Sequence, residues 1–146
     1  MVDVFTEIII NRPRDEVSDY AANPDNAPEW YVNIQSAEWQ TPKPLAVGSK
    51  IAFKAQFLGK QLAYVYEIVE YKQKQLLVMK TADGPFPMET TYTWETVDDN
   101  STRMTLRNRG NHAGFSKLFV PFMTFMMRRA NMKDLKKIKN LLETRL

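Results

Sequence analysis

The spacing of apolar residues divides this chain into three stretches. Val2 to Asn11 opens with alternation and runs into Ile8, Ile9 and Ile10, a β-branched series that predicts a strand. Pro13 breaks it, and Asp15 and Glu16 follow as acids suited to the positive end of a helix dipole. The short helix predicted from Glu16 to Ala22 turns Val17, Tyr20 and Ala21 inward. Asn23 to Pro28 is turn chemistry, and Glu29 to Val32 reads as a second short helical turn anchored by Trp30.

From Ile34 to Asn108 the period changes to two. Ile51, Phe53, Ala55 and Phe57 alternate with Lys50, Ala52, Lys54 and Gln56, the signature of a half-buried strand. Gly59-Lys60 is a hairpin turn. Beyond it Tyr64, Tyr66 and Ile68 share one face, opposite Glu67. Ser36 to Gln40, Leu76 to Thr81, Met88 to Val97 and Thr102 to Asn108 supply further strands. Tyr92 and Trp94 share a face of one, and Met104 and Leu106 point inward on another, with Arg103, Arg107 and Arg109 outward. Short turns between consecutive strands make them antiparallel neighbours.

The last stretch, Phe115 to Leu146, predicts a long helix. Phe115, Leu118, Phe119, Phe122, Met126, Met132, Leu135, Ile138 and Leu142 recur mostly three or four apart, as one helical face requires. From Arg128 onward the opposite face is basic, with only Asp134 and Glu143 set against Arg128, Arg129, Lys133, Lys136, Lys137, Lys139 and Arg145. Leu118 to Met127 is apolar almost all round, and Pro121 within it either begins the helix or kinks a longer one. A curved antiparallel sheet wrapped on this helix, with a hydrophobic cavity between them, is the architecture the pattern points to.

Composition narrows the chemistry. A chain of 146 residues is expected to form one domain, 1–146, in the α+β class. There is no Cys, which fits a cytoplasmic setting and removes disulfides and thiolate metal sites. No leader is expected at the N-terminus, and Leu118 to Met127 is too short to span a bilayer core of about 30 Å. The only His, His112, sits in a Gly-rich turn, so neither a nucleophilic triad nor a zinc site has the residues it needs. Neither a GxGxxG nor a GxxxxGK[ST] phosphate loop occurs. No metal and no cofactor are expected. The basic helix face lacks the aromatic–basic strand motif of an RNA binder, so nucleic acid is not an expected partner. With Phe119, Phe122, Phe125 and Met127 nearby, that face could instead meet an anionic membrane surface peripherally.

Several features in order carry a resemblance. They are the opening strand with Pro13-x-x-x-Val17, the segment from Asn23-Pro24 to Glu29-Trp30, and Gly48 before a paired strand. Glu67-Ile68-Val69-Glu70 at a strand end and Ser101-Thr102-Arg103-Met104 after the last hairpin complete the series. Nearly the whole chain resembles the START-like, helix-grip superfamily, in its polyketide cyclase/dehydrase and lipid-transport group. The resemblance implies a helix-grip fold: about seven curved antiparallel strands around a long C-terminal helix, with two short helices after the first strand. It also implies a ligand cavity, but no particular reaction, because members of one fold do different things.

Eight Met and eight Phe, with Tyr on the predicted inner faces, supply walls for that cavity. The expected ligand-binding residues are Phe53, Phe57, Tyr64, Tyr66, Met79, Tyr92, Trp94, Phe122 and Met126, holding a small hydrophobic or amphipathic molecule for binding or transport. Ordinary core packing would place the same residues inside. A cyclase or dehydratase is the enzymatic alternative. Its acid/base candidate is Glu89, beside Met88 at the mouth of a strand, with Glu7 also in a strand. A co-chaperone-like interaction module is the third reading. No motif demands catalysis, so binding is preferred.

Overall fold

The computed structural model describes residues 2–57, 59–83, 87–110 and 119–145, with the side chain of Phe57 outside that description. The first strand, β1 (Val2–Ile10), leads into α1 (Arg14–Ala22), a 3-10 turn (Pro24–Asn26) and α2 (Ala27–Trp30). Six strands follow: β2 (Ile34–Trp39), β3 (Lys50–Phe57), β4 (Lys60–Lys72), β5 (Leu76–Asp83), β6 (Met88–Asp98) and β7 (Ser101–Gly110). The chain closes with α3 (Val120–Glu143). The spatial order of the seven-stranded sheet is β1-β7-β6-β5-β4-β3-β2, and each pair is antiparallel. The two short helices thus carry the chain from one edge strand to the other. This is the helix-grip architecture expected from the sequence.

Alternation sets the faces. Val4, Thr6 and Ile10 of β1 and Thr102, Met104, Leu106 and Asn108 of β7 are buried on the concave side. On the convex side Asp3 accepts two hydrogen bonds from Arg107, at 2.9 and 2.7 Å, and Arg103 pairs with Glu95 at 3.5 Å. Register shifts between Ile68 and Glu70, and between Val65 and Tyr66, bend β4 against β5, as bulges do. Gly48 holds φ at +94°, where a side chain would be strained; its N–H donates to Ile68 O at 2.8 Å and steers the chain into β3.

The helix is gripped at its C-terminal half. Leu135, Ile138 and Leu142 are wholly buried, in one cluster with Ile10, Val17, Trp94, Met104 and Leu106. Each such side chain contributes about 1.5–3 kcal/mol through removal from water. A polar latch adds to this. Arg12, just past β1, donates from Nε to Leu142 O at 2.8 Å and from Nη2 to Glu143 O at 3.2 Å and Arg145 O at 2.5 Å. The last carbonyls of a helix lack i+4 donors, and a cation suits the negative end of its dipole. Asn11 N–H donates to the Glu143 carboxylate at 2.7 Å, and Lys139 Nζ donates to Ile9 O at 2.7 Å.

At the other end, α3 begins among the described residues at Val120, with Pro121 in its first turn, where a missing N–H is harmless. Residues 115–118, and His112, lie outside the described residues.

Arg12→Ala should lower unfolding free energy by about 1 kcal/mol, because part-buried carbonyls lose a charged donor. Amide exchange should speed up selectively at residues 140–145 while the sheet amides stay protected. Uniform exchange, or unchanged stability, would show that the latch contributes nothing.

Candidate functional site

The inward stripe of α3 changes character halfway along. Toward the C-terminus it carries Leu135, Ile138 and Leu142; toward the N-terminus it carries Met123, Met127, Ala130, Asn131 and Asp134. Small and polar side chains cannot fill the space that leucines would. A cavity of about 190 Å³ remains between this half of the helix and the sheet. Its walls are Ala55 and Phe53 of β3, Tyr64 and Tyr66 of β4, Met79 of β5, Thr90 and Tyr92 of β6, and Asn108 of β7. Trp30 and Tyr31, from the end of α2, cover one side.

Aromatic contacts hold the walls. Tyr64 and Tyr66 meet edge to face at 5.1 Å between centroids, and Phe53 lies 5.7 Å from Tyr64. Trp30 stacks obliquely on Tyr31 at 4.2 Å and reaches Tyr92 at 5.7 Å.

Polar groups converge on this apolar space. The hydroxyls of Tyr31 and Tyr92 are hydrogen-bonded to each other. Thr90 donates its single hydroxyl proton to Asn108 Oδ1 at 2.5 Å, so Tyr66, 2.8 Å away, must donate to Thr90. Burial pushes the Tyr66 hydroxyl up to about 12 and raises Tyr31, Tyr64 and Tyr92 as well, so all stay protonated. Two buried donors, Asn131 Nδ2 and Trp30 Nε1, have no partner among the described residues.

Asp134 is the acid of the site. It is 3 % exposed, and Val32 N–H donates to its Oδ1 at 2.8 Å. Burial raises its carboxyl to about 7, against the opposing pull of the Val32 N–H and Lys137. No group of His, Cys, Asp and Glu able to hold a metal ion occurs among the described residues.

Of the residues expected from sequence, Phe53, Tyr64, Tyr66, Met79 and Tyr92 line the cavity. Phe57 ends β3, with its side chain outside the described residues. Three other positions differ from expectation. Trp94 faces inward but is sealed in the core cluster beyond the cavity wall. Phe122 is 48 % exposed, and Met126 is half-buried outside the wall; Met123 and Met127 take the places expected of them. A one-residue offset turns a helix by about 100°, and an all-apolar turn gives no hydrophobic signal to fix the rotation.

Glu89 does not point inward. It lies on the opposite face of β6 from Thr90 and Tyr92, 3.5 Å from Lys80, and its strand partner is Arg109. Glu7 is likewise on the convex face. Sequence reasoning missed Asp134, which it counted as a break in the basic face. The signal was its place four residues before Ile138 and eight before Leu142, on their stripe.

Comparison with solved structures agrees with this architecture. The protein TTHA0849 from Thermus thermophilus matches with a TM-score of 0.83 at 17% identity, covering 98% of this chain and 99% of that one. The Zhui aromatase/cyclase from a Streptomyces species gives 0.81 at 11% identity, over 97% and 93% of the two chains. A START superfamily protein from Mycobacterium smegmatis gives 0.82 at 10% identity, over 97% of each. At such identities the likeness establishes the fold alone. Among curated proteins, none matches the sequence. The family described as polyketide cyclase / dehydrase and lipid transport matches residues 1–143, and the chain belongs to that family.

Proposed function

We propose that the protein binds a small amphipathic molecule in the cavity beneath the N-terminal half of α3. The observation that carries this reading is the cavity itself: about 190 Å³ of mainly apolar wall into which a few polar groups project. An apolar cavity of about 150 Å³ holds benzene, so a molecule of one or two rings is the right scale. The hydroxyls of Tyr31, Tyr66 and Tyr92 with Asp134 would orient it. Ala130, half-buried on the helix wall, is the place to test this. Ala130→Phe should weaken binding of any ligand found by native mass spectrometry or thermal-shift screening at least about tenfold. Its melting temperature should hold or rise, since filling a void restores packing. Undiminished binding with the void filled would place the ligand elsewhere.

A second reading is favoured by Asp134. An acid poised near neutrality, in an apolar site, beside tyrosyl hydroxyls, suits proton transfer in a cyclisation or dehydration. The aromatase/cyclase named among the structural neighbours makes that chemistry worth testing. In an assay where the wild type turns over, Asp134→Asn should reduce kcat about 100-fold or more. Glu89→Gln, on the convex face, should leave it unchanged. The reverse pattern would remove Asp134 from the role.

The proton-transfer reading requires an acid that keeps its proton toward neutral pH in the empty site, and stability reports this. The folded carboxyl titrates at about 7, above its ordinary 3.8. Between those values the folded chain keeps a proton that the unfolded chain releases. The group's contribution is therefore complete below the lower value and is lost as pH rises to the upper one, by at most about 4 kcal/mol. Asp134→Asn keeps the acceptor for Val32 N–H and removes the titration. Wild type and variant should unfold alike near pH 4, and the variant should be the more stable above about pH 7. Parallel profiles from denaturant unfolding across that range would show that burial does not neutralise Asp134.

A further inference from the structure

The cavity wall carries one carboxyl, Asp134, and no Lys, Arg or His among its described residues. Among those residues the carboxyl has a single hydrogen-bond donor, Val32 N–H. The cation that acts on it, Lys137, is exposed on the same helix and makes no salt bridge with it. The same cavity is lined by Trp30, Tyr31, Phe53, Tyr64, Tyr66 and Tyr92, and the charge of Asp134 acts on Tyr31, Tyr64 and Tyr92. Aromatic faces are electron-rich and attract cations, the more so when water is excluded. Tyr66 gives its proton to Thr90, so its oxygen presents lone pairs to the cavity. A desolvated carboxylate without a counter-charge is strongly disfavoured, and in the empty site Asp134 avoids that state by holding a proton. A cationic ligand would bring the missing charge. An anion would find no counter-charge among the described wall residues, and a neutral ligand could at most accept a hydrogen bond from the protonated acid.

We propose that the ligand is an amphipathic cation: an amine, protonated or quaternary, whose ammonium group pairs with Asp134 while its apolar body lies against Phe53, Tyr64 and Met79. This rests on the ligand-binding reading of the cavity and specifies the chemistry of its occupant. Binding then ionises Asp134 and releases its proton. The other titratable groups interacting with Asp134 are Tyr31 beside α2, Tyr64 of β4, Tyr92 of β6 and Lys137 of α3, with Tyr66 of β4 in the same cavity wall. Burial keeps the tyrosines neutral, so Asp134 alone changes charge near neutral pH.

The probes are 3-phenylpropyltrimethylammonium, charged at every pH, and its carbon isostere with a tert-butyl group in place of the trimethylammonium. Titration calorimetry of the full chain at about pH 8.5 should show the cation binding at least about tenfold tighter than the isostere. At about pH 6 the cation should bind more weakly than at the higher pH, with release of most of one proton, read from buffers of different ionisation enthalpy. In Asp134→Asn the preference for charge should vanish. Equal or tighter binding of the isostere to wild type at the higher pH overturns the cation proposal and leaves the ligand cavity standing. So does a preference that survives Asp134→Asn. If neither probe binds at millimolar concentration, the cation proposal falls together with the ligand reading for molecules of this size.

Discussion

The burial of Leu135, Ile138 and Leu142 against the concave sheet is the contact on which the rest of this molecule depends. These side chains are fully excluded from solvent, and the strands that receive them offer Trp94, Met104 and Leu106 in return. Because α3 is a rigid rod, fixing one half fixes the direction of the other. The latch from Arg12 to the last carbonyls sets how far the rod can slide. With its C-terminal half seated, the helix needs no large side chain in its earlier turns to stay in place. That freedom lets Ala130, Asn131 and Asp134 occupy an inward stripe where a packed core would demand leucine.

The hollow that results is polar in an ordered way. Tyr66 and Thr90 belong to strands that are not neighbours in the sheet, since β5 runs between them. The curvature of the concave face brings their hydroxyls to 2.8 Å, and Asn108 on β7 ends the chain of donors. Buried hydroxyls that satisfy one another lower the penalty of placing them in an apolar space. Asp134 lacks such company. Its carboxyl has one backbone donor, and it meets its desolvation by retaining a proton. A site of this kind is ordered without being saturated, which leaves hydrogen-bonding capacity for a guest.

Much of this was legible in the sequence because period-2 alternation is unambiguous where it is long. Phe53 on β3, Tyr64 and Tyr66 on β4, Met79 on β5 and Tyr92 on β6 face where their spacing says they must, so these five wall residues could be named in advance. The helix was harder. Phe122 is more hydrophobic than Met123, yet it is Phe122 that meets solvent. In a turn apolar on every side, the rotation is set by the seated residues downstream and not by local hydrophobicity. Glu89 failed for a related reason: at a strand end its face depends on register, and counting back from Tyr92 puts it outside. Asp134 was hidden by composition, since an acid among lysines reads as part of a solvated face until the stripe through Ile138 is followed backward.

The pairing of β1 with β7 has a bearing on how the chain reaches this state. Val2 lies opposite Gly110, and the Thr6 hydroxyl donates to Leu106 O across a separation of 100 residues. Arg12 likewise waits for Leu142. During synthesis the first strand, with its run of Ile8, Ile9 and Ile10, therefore leaves the ribosome long before any of its partners exists. Contacts of such high sequence separation form slowly, and unpaired β-branched strands are adhesive. The first strand thus stays without its sheet partner through most of synthesis, although in the finished fold its inner face is among the best buried.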